Sequence, residues 1–373
     1  MKVLVNALSA KRGGIYTYTR NLSRILDADG IDLTIAAPER LASLIGKRAM
    51  HFDAADYGPI QRLLWEQVSW RRIVRERDPD VLFSSANFAL LNSPVPQLLL
   101  VREGGLFNPF YLKYVFPRLD PRIRLTTKIR RSLMIRSIRA ATKVMFPSES
   151  LRDWVARWVP EIAETGIVNR YGIDLSRFSV ARPRIVPDRR CVDLLYVSVF
   201  YPHKNPCTLS RAVPLLRAAG IGATACITME EPEFRLWSSG DVEYEELRSA
   251  ASRGEVTLGA IEYDLLAERY NSASVFMFPS VSETFGFPLV EAMACGLPVI
   301  AADTTINREI CGPAALYHAP HDPASVARRV TELVERPDLY RWLSAAGRQR
   351  VSELFDWRQH FGRTAEILRE IAR

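Results

Sequence analysis

The 373-residue sequence has no uninterrupted apolar run of about 18 residues, the length that a membrane-spanning helix requires. We therefore predict no transmembrane helix. The chain also lacks the basic, apolar and small-residue regions of a secretory signal, because Met1 and Lys2 lead directly into the apolar residues 3–5 of a first strand. Tandem repeats and low-complexity segments are missing as well. These absences favour a globular protein of the cytoplasm.

Cysteine is scarce, and its five copies are scattered along the second half of the chain, at Cys191, Cys207, Cys226, Cys295 and Cys311. Their number is odd and no two of them form a Cys-x-x-Cys motif, so neither a disulfide framework nor a thiolate metal site is predicted. Asp27-Ala-Asp29 and Asp78-Pro-Asp80 superficially match a D-x-D metal site, but both stand in turns before strands. We expect reduced core cysteines and no metal ion.

Charge is unevenly distributed within an ordinary composition. Hydrophobic residues make up 48% and charged residues 25% of the chain, as in soluble globular proteins, and the length favours two domains. Residues 1–180 contain 28 Lys and Arg against 17 Asp and Glu, whereas the remainder contains 22 against 25. The basic N-terminal half predicts an anionic partner, which is nucleic acid, an anionic membrane surface or a phosphorylated acceptor.

The most informative stretch, residues 274–303, predicts a strand, a loop, a short helix and a second strand. Residues 274–278 and 297–301 are compact apolar runs of strand type, and the Pro-, Ser- and Gly-rich residues 279–286 form a loop. Pro288 suits the first position of a helix, where its missing N–H has no cost. Two strands joined by so short a helix indicate a βαβ unit of a parallel sheet.

Two carboxylates, Glu283 and Glu291, belong to this unit at the edge where parallel sheets bind ligands. We expect Glu283 in the loop and Glu291 in the first helical turn. The backbone amides of Phe285, Gly286 and Phe287 lead into the helix N-terminus, which attracts anions. Amides for phosphate and carboxylates for hydroxyl pairs predict a ligand that has both groups. The alternative is a structural helix start in which Glu291 complements the helix dipole.

The spacing of Glu283 and Glu291, with seven residues between them, resembles the E-x7-E motif of retaining glycosyltransferases of family 4, of the bacterial polysaccharide and lipid-glycan type. The quoted segment is Glu-Thr-Phe-Gly-Phe-Pro-Leu-Val-Glu-Ala-Met-Ala-Cys-Gly-Leu-Pro-Val-Ile-Ala. The resemblance extends from the first strand to the last helix. It implies the α/β fold class GT-B, with two Rossmann-like domains facing a cleft and a C-terminal helix that crosses back to the N-terminal domain.

The resemblance implies three parts of the chain. Residues 1–180 would form the N-terminal, acceptor-binding domain, and residues 191–355 would form the C-terminal domain that binds the nucleotide-sugar donor. Residues 356–373 would form the crossover helix. The charged, Pro-containing residues 177–190 are predicted as the linker between the domains.

A donor site is also implied by the resemblance. Gly13 and Gly14 resemble the loop that closes on the donor diphosphate, and Lys204 resembles the lysine that neutralises it. Ala260 and Ile261 resemble the loop that faces the nucleobase. The implied donor-binding residues are Gly13, Gly14, Lys204, Ala260, Ile261, Glu283, Phe285, Gly286, Phe287 and Glu291. Glu291 would bind the ribose hydroxyls, while Glu283 would bind the sugar and act with Lys204 in catalysis.

The sequence departs from the family pattern at two places. Where many members have a His-Asp pair, this chain has Arg102 and Glu103. Glu103 is a third candidate catalytic residue, as acceptor of a proton or hydrogen bond, and a solvated loop carboxylate is the alternative. Where a second basic residue often follows a glycine, this chain has Ser198 and Val199. Arg12 or Arg102 would then have to supply the missing cation.

Residues 113–143 are the most basic stretch, with ten Lys and Arg against one acid, and aromatic residues precede its densest part. Cations beside aromatic rings are typical of an interfacial membrane contact, and the patch proposed to contact membrane or acceptor comprises Arg124, Lys128, Arg130 and Arg131. A solvated helix face is the alternative. No zinc-finger or RNA-binding signature accompanies the patch, so nucleic acid is not expected as a partner.

One further helix is predicted over residues 61–77. Its apolar stripe would comprise Leu64, Trp65, Val68 and Ile73, which are spaced for one helical face.

Together with the resemblance, these features imply a metal-independent hexosyltransferase that needs no cofactor. It would move a sugar from a nucleotide-diphosphate sugar, with GDP-mannose as first choice and UDP- and dTDP-sugars next, to a hydroxyl of a lipid-linked oligosaccharide or polysaccharide. Such an enzyme would bind peripherally to the cytosolic face of the cell membrane. The alternatives are a same-fold enzyme with a soluble small-molecule acceptor and a non-catalytic nucleotide or nucleic-acid binding protein.

Overall fold

The computed structural model describes residues 1–11, 14–25, 30–181, 183–237 and 239–372. The chain divides into two compact units, which we call the first unit and the second unit. The first unit comprises Met1–Phe107, Leu125–Gly172 and Trp357–Arg373, and the second unit comprises Asn108–Arg124 and Ile173–Asp356.

The first unit is built on a parallel sheet of seven strands. They are β1 (Lys2–Asn6), β2 (Asp32–Ala37), β3 (Ala49–His51), β4 (Val81–Ser84), β5 (Gln97–Leu100), β6 (Lys143–Phe146) and β7 (Ile167–Val168). Their order is β3-β2-β1-β4-β5-β6-β7, and Val3 of β1 lies opposite Leu33 and Val81 of its neighbours. The order reverses between β1 and β4, and such a reversal is where open α/β sheets bind ligands.

Helices connect these strands, as parallel pairing requires. They are α1 (Gly14–Ile25), α2 (Glu39–Ile45), α3 (Pro59–Trp65), α4 (Arg71–Arg77), α5 (Pro121–Ala140), α6 (Glu149–Ala156) and α7 (Ile162–Thr165). Two π-helical segments, Glu66–Trp70 and Tyr111–Val115, are also present. No helix in the described ranges has both the length and the hydropathy needed to cross a bilayer.

The second unit contains a parallel sheet of six strands. They are β8 (Val192–Tyr196), β9 (Ala223–Ile227), β10 (Val256–Leu258), β11 (Val275–Phe278), β12 (Val299–Ala302) and β13 (Ala315–His318). Their order is β10-β9-β8-β11-β12-β13, so the direction of winding reverses between β8 and β11. The loops that follow these two strands therefore flank the crevice in which a ligand is expected.

The helices of the second unit are α8 (Pro206–Ala218), α9 (Glu231–Phe234), α10 (Gly240–Ser252), α11 (Leu266–Ser272), α12 (Phe287–Ala294), α13 (Thr305–Cys311), α14 (Pro323–Glu335) and α15 (Pro337–Leu354). The last helix, α16 (Trp357–Ile371), belongs to the first unit. Within that unit Nε2 of His360, on α16, accepts a hydrogen bond from the hydroxyl of Tyr18, on α1, over 3.2 Å. The backbone carbonyl of His360 accepts a hydrogen bond from the side-chain amide of Asn169 over 3.0 Å.

The division into units differs from the predicted boundaries at two places. Residues 108–124 group with the second unit, in which the ring of Tyr111 lies 5.9 Å from His203 and the ring of Phe110 lies 5.9 Å from His321. Residues 173–190 group with the same unit. The predicted linker is held there by Arg184, whose guanidinium donates to the carbonyls of Tyr270, Asn271, Ala273 and Cys295.

The apolar stripe predicted for residues 61–77 was wrong in half of its members. Leu64 is 63% exposed and Val68 is 72% exposed, whereas Trp70 and Val74 are buried. Val68 lies within the π-helical segment Glu66–Trp70, whose wider turn departs from the regular 3.6-residue period on which the stripe was predicted.

Three of the five cysteines lie in the core as predicted, and two do not. All five cysteines are free, and Cys207, Cys295 and Cys311 are buried. Cys226 is half-buried, but Cys191 is exposed. Cys191 stands immediately before β8, where the chain enters the sheet from the surface.

Candidate functional site

The stretch around the two glutamates has the predicted strand, loop, helix and strand. β11 and β12 pair in parallel, with Phe276 opposite Val299, and α12 connects them. Gly286 immediately precedes α12 and has a φ of 86°, which side-chain-bearing residues rarely adopt. A Cβ added at Gly286 would lie 3.0 Å from Cδ1 of Leu289. The turn that aims the N-terminus of α12 out of the sheet therefore depends on this glycine.

Lys204 and Glu283 form an ion pair at the carboxyl edge of the sheet. Nζ of Lys204 lies 2.5 Å from Oε1 of Glu283, and each side chain is only 13% exposed. Lys204 is in the loop after β8, and Glu283 is in the loop after β11, so the pair spans the two strands at which the winding reverses. Sequence reasoning proposed both residues for the site but did not foresee that they contact each other.

Backbone and side-chain hydrogen bonds fix the two loops in place. The N–H of Val281 donates to the carbonyl of His203 over 3.0 Å, and the hydroxyl of Tyr196 donates to the carbonyl of Lys204 over 2.8 Å. Burial and the neighbouring Lys204 charge lower the pKa of His203 well below its usual range. His203 is therefore neutral at physiological pH, and Lys204 provides the positive charge of this loop.

Glu291 is the fifth residue of α12, because the helix begins at Phe287 and not at Pro288, so it lies one residue beyond the predicted first turn. Its side chain is buried, and Oε2 accepts a hydrogen bond from the Tyr270 hydroxyl over 3.0 Å. Burial raises the pKa of Glu291 to about 7, while the Tyr270 hydrogen bond and the Arg177 charge act in the opposite direction. Interaction with the helix dipole is weak beyond the first turn, so the alternative of a dipole-complementing residue loses its support.

Tyr270 and Arg177 are site residues that the sequence analysis missed. Tyr270 lies on α11, and Arg177 was assigned to the linker. Arg177 pairs with Asp264 at 2.5 Å and lies over the ring of Tyr263 at 4.7 Å. Neither residue belongs to a motif. Tyr270 reaches Glu291 because α11 packs against α12, whereas Arg177 acts on Glu291 through its charge from the segment before β8.

The proposed nucleobase loop follows β10. Gly259 has a φ of 143°, and it is followed by the exposed Ala260 and the half-buried Ile261. The loop then leads into Tyr263, the residue on which Arg177 stacks. Backbone amides and carbonyls of such an exposed loop are accessible to a flat heterocycle. The assignment of Ala260 and Ile261 to a base stays a prediction.

The rest of the predicted donor site is distributed as follows. Phe285 is buried, with its ring 5.0 Å from that of Phe287 and 5.5 Å from that of Phe355, so these two residues have mainly their backbones available for a ligand. Gly14 is the first residue of α1 in the first unit. Gly13 and Arg12 lie outside the described residues.

Ser198, at one of the positions that lack the usual second cation, is held by two hydrogen bonds. The N–H of Ser198 donates to Oγ1 of Thr228 over 3.0 Å, and the Ser198 hydroxyl donates to the carbonyl of Val199 over 3.0 Å. In the first unit, the guanidinium of Arg102 lies over the rings of Tyr18 and Tyr171, at 5.7 and 5.5 Å. Arg102 is thus a positioned cation of the first unit.

Two cations of the basic patch on α5 have partners within the protein and are not simply solvated. Arg130 pairs with Glu103 at 2.5 Å, and Arg131 lies 4.1 Å above the ring of Trp158. Arg124 is half-buried, and Lys128 is exposed. Burial raises the pKa of Glu103 and the Arg130 charge opposes this shift, so Glu103 is a paired carboxylate rather than a solvated one.

The two D-x-D sequences have ordinary explanations where the structure describes them. Asp78 ends α4 in the left-handed conformation, and Asp80 accepts a hydrogen bond from the N–H of Lys2 over 2.7 Å. Asp27 and Asp29 lie outside the described residues. Within the described ranges, no three His, Cys, Asp or Glu side chains come together as a metal-binding group.

Comparison with known families matches both halves of the chain. Residues 12–177 match the family described as Glycosyltransferase Family 4, and residues 184–350 match the family described as Glycosyl transferases group 1. The second match contains Lys204, Glu283 and Glu291.

Several curated proteins are similar over part of this chain. The glycogen synthase of Mycobacterium tuberculosis is 27% identical over 235 residues, which are 62% of this chain and 54% of that protein. The O-antigen chain mannosyltransferase B of Escherichia coli is 28% identical over 164 residues, or 44% of this chain and 42% of its own length. The D-inositol 3-phosphate glycosyltransferase of Geodermatophilus obscurus is 30% identical over 208 residues, 50% of this chain and 43% of that one. The chain thus spans about half the length of the curated relatives it matches.

Solved structures resemble the chain over nearly its full length. The sucrose-phosphate synthase of Thermosynechococcus elongatus has a TM-score of 0.78 and 20% identity, covering 99% of this chain and 98% of the other. Anabaena HepE in complex with UDP and glucose has a TM-score of 0.73 and 16% identity, covering 99% of this chain and 100% of that one. At such low identity these likenesses show the fold alone.

Proposed function

We propose, on the premise that this chain belongs to the family 4 glycosyltransferases of the GT-B fold, that it transfers a sugar from a nucleotide-diphosphate sugar to an acceptor hydroxyl. The observation that carries the proposal is the Lys204–Glu283 pair beside the start of α12, with Glu291 buried eight positions further along the chain. One cation, one helix N-terminus and two carboxylates match a ligand with a diphosphate and two sets of hydroxyls.

Each group has a role in this proposal. Lys204 and the N-terminus of α12 stabilise the charge that develops on the leaving diphosphate. Glu291 accepts hydrogen bonds from the ribose hydroxyls, and its Tyr270 bond holds the carboxylate in orientation. Glu283 accepts from the hydroxyls of the transferred sugar and, through its ion pair, keeps the Lys204 ammonium at the carboxyl edge of the sheet.

The transfer is proposed to retain the configuration at the anomeric carbon. The bond from C1 to the diphosphate oxygen breaks, and its electron pair remains on that oxygen. The acceptor oxygen forms a bond to C1 on the same face, and its proton passes to the leaving phosphate. Such a step requires no protein base, and the positioned charge of Lys204 supplies electrostatic stabilisation without a metal ion. Glu103, paired with Arg130, is then a residue that positions the acceptor rather than one that must take its proton.

The acceptor is proposed to be a lipid-linked oligosaccharide or polysaccharide at the cytosolic face of the membrane. Exposed Leu125 and Ile129 on the basic helix α5 support this choice, because apolar and cationic side chains together suit an anionic membrane surface. The similarity to a mannosyltransferase supports GDP-mannose as the donor. The resemblance to a protein solved with UDP and glucose makes a UDP-sugar the next choice.

A soluble acceptor is the second candidate, and the similarity to D-inositol 3-phosphate glycosyltransferases favours it. Flotation with vesicles separates the two. Vesicles containing anionic lipid should carry the protein upward at low salt, and neutral vesicles should carry much less. If the protein stays at the bottom with both, a soluble acceptor is favoured.

The donor is tested by thermal unfolding in the presence of GDP, UDP and dTDP. A nucleotide that binds only the folded protein raises the Tm, and the largest shift identifies the base. Glu291→Ala should abolish that shift, whereas Glu309→Ala, on the neighbouring helix α13, serves as the matched control. Absence of a shift with all three nucleotides would reject the proposed function.

A further inference from the structure

A pocket of about 560 Å3 lies in the first unit, between α3, the following π-helical segment and α5. Its size falls within the range of small-molecule sites, roughly 300–1,000 Å3. Asn6, the last residue of β1, and Ala86, just after β4, line its inner end. The pocket therefore occupies the point at which the winding of the first sheet reverses, where a ligand is expected.

The walls of this pocket are apolar. Seven of the lining residues carry hydrocarbon or aromatic side chains: Pro59, Ile60, Leu63, Ala86, Phe88, Ile129 and Leu133. Ile60 is 77% exposed and Ile129 is 51% exposed, so the apolar surface continues to the rim. Single exposed apolar residues are common, but several that converge on one concavity indicate a binding site. A polysaccharide would find few hydrogen-bonding partners on such walls.

The inner end of the pocket is polar. Oε1 of Glu66 accepts a hydrogen bond from the amide of Asn6 over 3.3 Å, and burial raises the pKa of this carboxyl. The hydroxyl of Ser9, which also lines the pocket, is buried and has no hydrogen-bond partner in the described part of the chain. A buried hydroxyl without a partner is costly, and a ligand hydroxyl placed here would remove that cost.

Positive charge accompanies the apolar walls. Arg62 and Arg130 line the pocket, and Lys128 is exposed on the same helix as Arg130. Guanidinium groups bind phosphate with two parallel hydrogen bonds, which suits an anionic group on a ligand with an apolar chain. The combination of hydrocarbon walls, cationic groups and a polar inner end matches an amphiphile with a phosphate between its chain and its sugar.

We propose that this pocket binds the acceptor through its lipid, with the hydrocarbon chain against Ile60, Leu63 and Ile129. The phosphate of the lipid meets Arg62 and Arg130, and hydroxyls of the attached sugar meet Ser9 and Glu66. The inference rests on the proposed function and adds to it the place at which the lipid of the acceptor binds and the phosphate that links this lipid, an isoprenoid or acyl chain, to the sugar.

The test is calorimetric titration of the full chain with farnesyl phosphate below its micelle concentration. We expect saturable binding of one molecule, weaker binding of farnesol and none of inorganic phosphate. Ile129→Glu should weaken farnesyl phosphate binding tenfold or more. Leu44→Glu is the matched control, because Leu44 on α2 is 53% exposed, close to the 51% of Ile129, but does not line the pocket. Its binding should equal that of the unmodified protein.

Three outcomes would overturn the inference: no saturable binding, equal loss in both variants, or binding of a water-soluble aryl glycoside in place of farnesyl phosphate. Nucleotide-induced shifts in Tm, measured on the same variants, show whether Ile129→Glu has folded. If a nucleotide binds but farnesyl phosphate does not, the pocket assignment fails and the proposed donor site stands. If only farnesyl phosphate binds, the pocket stands and the proposed function fails.

Discussion

The hydroxyl of Tyr270 donates a hydrogen bond to Oε2 of Glu291 over 3.0 Å, and both side chains are buried. Because burial is the dominant influence, the pKa of Glu291 is raised to about 7 despite this bond. A carboxyl with that pKa changes its charge within the pH range of ordinary enzyme assays. Two pH-dependent properties follow, one of stability and one of ligand binding.

The first prediction concerns stability. The pKa of Glu291 is 4.5 in the unfolded chain and about 7 in the folded one, so the folded state holds an extra proton between these values. Stability contributed by this group is therefore present below about pH 4.5 and lost as pH rises towards 7. Glu291→Gln has no such loss. Its Tm should equal that of the unmodified protein near pH 4.5 and exceed it above pH 7, where the gain in the free energy of unfolding is on the order of 3 kcal/mol at most. A constant difference in Tm across this range would contradict the assignment.

The second prediction concerns nucleotide binding. Ribose hydroxyls donate hydrogen bonds, so they favour the ionised carboxylate over the neutral acid. The Kd for the nucleotide should rise as pH falls below about 7, towards tenfold per pH unit at the lower end. The nucleotide phosphate also titrates near pH 6. The quantity to compare is therefore the ratio of Kd values for the unmodified protein and Glu291→Gln, and a pH-independent ratio would refute the role of Glu291.

The third prediction concerns Lys204. Replacing it with Met removes the cation that stabilises the leaving diphosphate, and the rate of sugar transfer should fall about a hundredfold, or roughly 3 kcal/mol. The single variant also leaves the Glu283 carboxylate without its partner in a nearly buried position. The double variant Lys204→Met with Glu283→Gln restores neutrality and should regain stability without regaining rate. Lys47→Met, on the exposed surface, is the control. Recovery of the rate in the double variant would show that Lys204 acts only through folding.

The fourth prediction concerns Gly286. Its φ of 86° disfavours any side chain, and a Cβ would press on Leu289 at 3.0 Å. Gly286→Ala should therefore cost about 1–3 kcal/mol of stability and weaken nucleotide binding by reorienting the start of α12. Gly362→Ala in α16, where a Cβ meets no atom within 4 Å and φ is not in the left-handed region, should be neutral or slightly stabilising. Unchanged binding in Gly286→Ala would mean that the turn does not shape the site.

Much of the fold was predictable, because the decisive patterns are local. The strand, loop, helix and strand of residues 274–303 depend on apolar runs, on Pro288 and on glycines within one stretch, and the structure confirms that βαβ unit. The parallel α/β class was confirmed, as was membership of the glycosyltransferase family that the motif resembles.

What could not be predicted depends on packing between distant parts of the chain. Lys204 and Glu283 are 79 positions apart, and only the adjacency of β8 and β11 brings them together. Tyr270 meets Glu291 because α11 lies beside α12, and no spacing rule reports this. The π-helical turn at Glu66–Trp70 has no clear sequence signal, and the regular period assumed through it placed the exposed Val68 in the apolar stripe.

The uneven burial of the cysteines has a practical use in spectroscopy. Thiol reagents attack the thiolate, and burial raises the pKa of Cys295 and Cys311 to about 12, so these two groups stay inert at neutral pH. Cys207 is buried with a raised pKa as well. A maleimide dye should therefore attach preferentially at Cys191, at the entrance to β8 and at the sheet edge opposite the candidate site, without any engineered cysteine.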